Sequence, residues 1–323
     1  MKIVVAAHGH CLDGLASAVV FTRLLREIHG AHTSFAYRAC GYGPRQLRPT
    51  SDVLSGDENA ILDYRYYPSE QLTWYFDHHR TSFQAQGDRE SFQERVPSGR
   101  YFHDASYSSC SRLIRDRAKD TFGMEAPDLD PLVAWADVVD TAAFESPQEA
   151  VDRRHPVMRM VTVIENHGST AFLNRFVPLL LTHPLEEVAA SRELAEKYKP
   201  LGKKHEAFLK RLEAQSRAIG RVVYCDLTAE PVETIGKFAS YALYPTSTYS
   251  VLVAQLGSAV KICVGYNPWG GKPLDTDISA ICARHGGGGH PVVGGINFEL
   301  SERERARQVA QEIAEELAAV DSP

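Results

Sequence analysis

Apolar residues in this chain come in short unbroken runs and in longer helical stripes, and several of the runs stop at an acid or a histidine. Residues 2–7 (KIVVAA) are continuously apolar, the pattern of a strand buried on both faces. The polar loop HGHCLDG follows, and Leu15 to Ile28 then read as a helix. Thr33 to Ala39 predict a second strand, and Asn59 to Leu62 a third that runs into Asp63. In LTWYF, Leu72, Trp74 and Phe76 interleave with Thr73 and Tyr75, a fourth short strand that ends at Asp77-His78-His79. The order β, loop, α, β, β, β, with acid or histidine at three strand ends, predicts an α/β fold. Its core is a parallel, doubly wound sheet with one site along the carboxyl edge. Residues 80–100, which contain QGDRESFQERVPSG, read as a surface loop.

Residues 108–123 and 129–144 predict helices, and 155–182 are apolar enough to complete a first domain over 1–184. From 185 to 217 the chain is charged and helical in pattern, with Leu201, His205, Phe208 and Leu212 on one face. This predicts a helical connector, interrupted at Pro200-Leu201-Gly202. After Gly220 the pattern turns to strands: RVVYCDL, YSVLVAQL and VKICVGY. Helical ISAICARH, the run GGGGHPVVGG, the strand INFEL and a last helix complete a smaller α/β domain over 218–323. Ser301 and Glu304 predict a capping box for that helix, whose Val309, Ile313 and Leu317 form an apolar stripe.

Composition narrows the function classes. Hydrophobic residues at 44% and charged residues at 24% are ordinary for a globular protein, and 323 residues suffice for two domains. A net charge of −6 gives no global field to attract a long duplex, although a small anion held by local groups is compatible. The six cysteines are scattered without CxxC, which fits reduced cytosolic thiols better than a disulfide framework. The apolar run at the N-terminus is too short for a signal peptide and no stretch approaches a membrane span, so the expected location is the cytoplasm.

The chemistry concentrates at the strand ends. His8, His10, Cys11 and Asp13 lie within six residues, and all four can ligate a borderline divalent metal. Asp13 alone reads equally well as a helix cap. With Asp63 and Asp77-His78-His79 at neighbouring strand ends, the ligand role is the stronger. Asp137 and Asp140 sit three apart in the apolar segment AWADVVDTAAF, where an unpaired carboxylate is costly and a cation would remove the cost. Gly286, Gly287, Gly288 and Gly289, followed by His290 and preceded by Arg284 and His285, read as an anion-binding loop.

Taken in order, HxxCxDG, Asp63, the DHH triplet, ADVVD and GGGGHPxxGG resemble the DHH/DHHA1 phosphoesterase family over nearly the whole chain. The resemblance implies two divalent ions, commonly manganese. His8 and Asp13 match the first motif and Asp63 the second, where the carboxylate bridges both ions. Asp77 and His78 match the third, with His79 at the position that contacts substrate phosphate. Asp137 matches the fourth motif better than Asp140 does, and Gly286 to His290 match the substrate loop. Catalysis is expected from Asp13, Asp63 and His79. The first motif departs from the family where a carboxylate is replaced by Cys11. His10 or Cys11 is therefore an alternative ligand, and a thiolate would favour iron, cobalt or zinc over manganese.

The activity implied is hydrolysis of short single-stranded oligonucleotides, nanoRNA or linear dinucleotides, to mononucleotides. The family also contains pAp and cyclic-dinucleotide phosphodiesterases, exopolyphosphatases and non-catalytic scaffolds, which stand as alternatives. The connector's apolar stripe could serve the chain itself or a homodimer.

Overall fold

The computed structural model describes residues 1–30, 32–42, 46–233, 235–236 and 238–319. Along the first part of the chain come β1 (Lys2–His8), α1 (Leu12–His29), β2 (Ser34–Cys40), β3 (Glu58–Leu62), β4 (Trp74–Asp77), α2 (Asp88–Arg95), β5 (Tyr101–His103), α3 (Cys110–Phe122) and α4 (Asp130–Thr141). Then follow α5 (Pro147–Val151), α6 (Pro156–His167), α7 (Thr170–Leu180), α8 (Leu185–Ala189) and α9 (Arg192–Gln215). The remainder comprises β6 (Ser216–Ile219), β7 (Val222–Val232), α10 (Ala239–Leu243), β8 (Tyr249–Leu256), β9 (Ala259–Tyr266), α11 (Ile278–Arg284), β10 (Gly288–His290), β11 (Val293–Glu299) and α12 (Arg303–Ala319).

The chain divides into two compact units, Met1–Ala143 with Arg153–Leu201 and Phe144–Asp152 with Gly202–Pro323. The short segment joins the second unit through hydrogen bonds there. Trp269 Nε1 donates to the Phe144 carbonyl at 2.8 Å, and Gln148 Nε2 donates to that of Ala242 at 3.1 Å.

The first unit is built on an all-parallel sheet ordered β2-β1-β3-β4-β5. Ile3 to Ala7 have no exposed surface, as a strand covered on both faces requires. The strand order reverses between β1 and β3, so the carboxyl ends of these two strands open a crevice where α/β sheets build their sites. This is the doubly wound sheet that the pattern predicts. Two elements differ from expectation. The polar stretch 80–100 contains α2, which is anchored by Phe92 against Tyr66, Tyr75 and Tyr101 rather than by an apolar stripe. The three residues of β5 pair with β4 as Tyr75↔Tyr101, Phe76↔Phe102 and Asp77↔His103.

The second unit has a six-stranded sheet ordered β10-β11-β9-β8-β7-β6, antiparallel except for β7 with β8. On one face Ile278, Ile281 and Cys282 of α11 and Ile313 and Leu317 of α12 pack with Val251, Val253 and Ile262. On the other, Leu212 packs with Cys225, Leu227 and Leu252, and Phe208 lies against them, so the stripe of α9 is used within this unit. That helix runs through Pro200 without a break, since one proline removes a single backbone donor. The capping box forms at Glu299 and Glu302, ahead of the expected Ser301 and Glu304, because a short 3₁₀ turn precedes α12. Among the described residues, no helix is long and apolar enough to cross a membrane.

Candidate metal centre

Register brings the candidate ligands together. Ala7 pairs with Leu62, so the next residues along the two parallel strands, His8 and Asp63, stand side by side. Asp63 turns sharply out of the strand with φ of 54°, a left-handed conformation that costs a non-glycine residue about 1–2 kcal/mol. Gly14 allows α1 to start directly against the end of β1, because a Cβ at this position would lie 2.1 Å from the His8 carbonyl oxygen. Asp13 is thereby carried beneath the crevice, where it is buried.

Asp63 stands between two groups of side chains. Its Oδ2 is 3.5 Å from His8 Nδ1, and its Oδ1 is 3.7 Å from His78 Nε2. His78 Nε2 also lies 3.7 Å from Asp13 Oδ2 and 3.4 Å from Asp140 Oδ2. His78 Nδ1 is 3.1 Å from the Tyr107 carbonyl, which can only accept, so the proton is on Nδ1 and the Nε2 lone pair faces the carboxylates. Both oxygens of Asp63 and the Nε2 of His78 are buried without a hydrogen-bond partner. Orphaned polar atoms of this kind are expensive, and more so when negative charges share the site. Burial, followed by repulsion from Asp13, Asp77 and Asp140, pushes the Asp63 carboxyl well above the usual range. Burial together with Asp63 and Asp13 pushes the Cys11 thiol well up.

Divalent cations fit this donor set. The potential ligand atoms of His8, Cys11 and Asp63 lie within 4.8 Å of one another, as do those of Asp13, His78 and Asp140, and those of Asp63, His78 and His79. A cation would satisfy the orphaned atoms and offset the repulsion around Asp63.

The other expected residues divide into supports and bystanders. The Asp77 carboxylate is engaged by hydrogen bonds. Its Oδ1 accepts from His78 N at 2.9 Å and faces His79 Nδ1 at 2.7 Å, while Oδ2 accepts from the Tyr75 hydroxyl at 3.1 Å and from Ser82. These contacts hold the His79 ring, whose pKa the Asp77 hydrogen bond raises. Asp137 also departs from expectation. Arg112, Ser108 and Ser109 occupy its carboxylate, and Asp140, one turn further along α4, is the residue that reaches His78. His10 turns away, with φ of 58° and Nδ1 3.1 Å from the Glu165 carbonyl, and it lines a separate cleft with Ala39, Cys40, Leu47 and Thr170. In the second unit Arg284 is paired with Glu316, its Nη2 lying 2.6 Å from Oε2. The glycine run is ordered rather than loose. Gly288, Gly289 and His290 pair with Gly295, Gly294 and Val293, and a Cβ on Gly289 would lie 2.2 Å from the Val293 carbonyl oxygen.

Sequence reasoning missed the residues that hold the ligands. The backbone N–H groups of Cys110 and Ser111, in the first turn of α3, donate to Asp13 at 2.7 and 2.9 Å, where the helix terminus also favours negative charge. The serine-rich run Ser108-Ser109-Cys110-Ser111 is the legible trace of that helix start, and Ser109 does cap it. The Tyr107 carbonyl and Ser82 leave no such trace.

No family model matches the sequence, and no curated relative does. Solved structures do match. PggH of Vibrio cholerae, a pGpG-specific phosphodiesterase, is 16% identical with a TM-score of 0.68, over 97% of this chain and 99% of that one. A manganese-bound exonuclease RecJ is 15% identical with a TM-score of 0.54, over 100% and 91%. RecJ of Thermus thermophilus in complex with Mn2+ is 15% identical with a TM-score of 0.56, and this chain spans only 53% of its length. Identities this low establish likeness of fold. The five-stranded parallel sheet and the second mixed sheet give this chain the fold of the DHH/DHHA1 phosphoesterases.

Proposed function

We propose that this chain is a divalent-metal-dependent phosphodiesterase that hydrolyses short single-stranded oligonucleotides, down to linear dinucleotides, to mononucleotides. The observation that carries this reading is the orphaned pair of Asp63 and His78, buried among Asp13, Asp140, His8 and Cys11. PggH, similar over 99% of its own length and acting on pGpG, favours a small linear substrate.

In this reading His8, Cys11 and Asp63, together with Asp13, His78 and Asp140, would hold the divalent metal. Such ions supply an activated water and neutralise phosphoryl oxygens, and manganese is the first candidate. The protein does the rest. The N–H groups of α3 fix Asp13, the Tyr107 carbonyl fixes His78, and Asp77 raises the His79 pKa and orients its ring for a phosphate oxygen. The second unit, with Gly286 to His290, is assigned substrate binding.

The test is hydrolysis of a 5′-labelled RNA dinucleotide, pAp, cyclic dinucleotides and polyphosphate, with manganese, cobalt, iron or zinc supplied in turn. Mononucleotides released from the dinucleotide are the expected product. A preference for one of the other substrates moves the assignment within the fold, and inertness towards all of them with every ion rejects the enzymatic reading.

A further inference from the structure

Tyr42 is a large aromatic side chain beside the metal centre, with 47% of its surface exposed. One face of its ring is stacked on Tyr64, with centroids 4.5 Å apart and planes 9° from parallel. It meets His8 edge to face at 5.6 Å and 63°. Tyr64 is itself buried, and its hydroxyl donates to the Gly41 carbonyl at 2.8 Å, so the stack is fixed from below. The backbone N–H of Arg65 donates to the Tyr42 hydroxyl at 3.3 Å, and the Arg65 guanidinium carbon makes a cation–π contact 5.4 Å from the Tyr42 ring centroid. Gln84 holds that guanidinium through Nη1 at 2.8 Å. Isolated exposed apolar residues are common and need no explanation. This one is held by three neighbours, and two of them, Tyr64 and Arg65, directly follow Asp63.

We propose that Tyr42, backed by Tyr64 and flanked by Arg65, is a stacking platform for the nucleobase next to the scissile phosphate. The inference rests on the phosphodiesterase reading and adds to it the part of the substrate that is not a phosphate. His8 touches Tyr42 and faces Asp63, so a phosphate held by the ligand cluster leaves its attached nucleoside within reach of the Tyr42 ring. An aromatic face held rigid before binding suits a base of any identity, and Arg65 adds a cation for the anionic backbone. Polyphosphate or a bare sugar phosphate has no π face to use it.

The experiment compares equilibrium binding of GMP and of ribose 5-phosphate to the manganese-loaded full chain. Wild type, Tyr42→Ala and Tyr42→Trp are titrated, and dinucleotide hydrolysis by the wild type is followed in parallel. Wild type should prefer GMP by about tenfold or more, the scale of one base stacked on an aromatic ring. Tyr42→Ala should erase most of that preference while keeping its affinity for ribose 5-phosphate, and Tyr42→Trp should retain the preference. Equal affinities in the wild type, or an undiminished preference in Tyr42→Ala, would overturn the platform. So would a parallel loss of both probes in Tyr42→Ala, which would make Tyr42 a prop for His8. A wild type that cleaves no phosphodiester but shows a Tyr42-dependent base preference would reject the enzymatic reading and leave the platform standing.

Discussion

Arg112 grips Asp137 through two nitrogens at once, Nε at 2.9 Å and Nη2 at 2.7 Å, both on Oδ2. The hydroxyls of Ser108 and Ser109 each reach Oδ1 at 2.6 Å, so the start of α3 is clamped to the last turns of α4. Asp140 is presented to His78 by that clamp. Asp137→Asn should therefore cost stability, about 1–3 kcal/mol for a charge-assisted pair, and leave manganese binding nearly intact. Asp140→Asn should leave the metal-free protein as stable as before and weaken manganese binding at least about tenfold, the usual scale for loss of a coordinating group or its support. Calorimetric titration of both variants with manganese checks this, and metal loss confined to Asp137→Asn would restore Asp137 as the ligand.

Asp63 is predicted to oppose stability and function. In the metal-free protein its buried carboxyl is crowded by Asp13, Asp77 and Asp140. Asp63→Asn removes that repulsion, so the metal-free variant should melt a few degrees higher, about 2–4 °C per kcal/mol for a unit of this size. Hydrolysis should fall about a thousandfold or more, because among the described residues no other carboxylate faces both groups of candidate ligands. The stabilisation that manganese gives the wild type should vanish with it. Thermal melts with and without manganese, set beside turnover, separate these effects. A lower melting point in the metal-free variant would contradict the crowding argument.

Gly14→Ala tests how tightly the first turn is built. The added methyl would be 2.1 Å from a backbone oxygen of β1, which cannot move without disturbing the sheet. Destabilisation of about 3 kcal/mol or more is expected, at the upper end for overpacking, with metal binding lost because Asp13 moves. Chemical denaturation of the purified variant reads the first quantity, and a stability within about 1 kcal/mol of wild type would contradict the close approach.

The second unit carries its own acid sensitivity. Arg221 donates to both oxygens of Asp275, and the Tyr249 hydroxyl donates to Oδ1 at 2.7 Å. The Arg221 hydrogen bond, with help from Tyr249 and Thr276, lowers the Asp275 pKa from 3.8 to about 2. A depressed carboxyl pKa stabilises the fold above the unfolded value and loses that contribution as pH falls through the folded one. The stability gap between wild type and Asp275→Asn should be about 1–2 kcal/mol at neutral pH and should close between pH 4 and pH 2. Acid unfolding curves for the two proteins, followed by a probe in the second unit, measure it.

The sequence showed where the strands end and therefore where the chemistry would be. His8, Asp13, Asp63 and His78 were legible because each lies where an apolar run meets a polar break. The choice between Asp137 and Asp140 was not legible. Residues three apart share a helix face only roughly, and the packing of α4 on α3 decides which one looks inward. The role of Asp77 was hidden for a related reason, since its acceptor positions are filled by Tyr75, Ser82 and its own neighbours. Helix α2 and strand β5 escaped because one is held by a single aromatic and the other is only three residues long. Backbone donors such as those of Cys110 and Ser111 carry no residue identity to read.

The ligand set is drawn from the end of β1, the start of α1, the turns after β3 and β4, and the last turn of α4. The set is spread from His8 to Asp140, so no short segment of the chain contains it, and its closure depends on contacts of high sequence separation, the slow kind in folding. A nascent chain would lack the group of Asp13, His78 and Asp140 until α4 had docked. If these residues take up a divalent ion as proposed, its capture and release would report tertiary assembly of the first unit and be silent about the second.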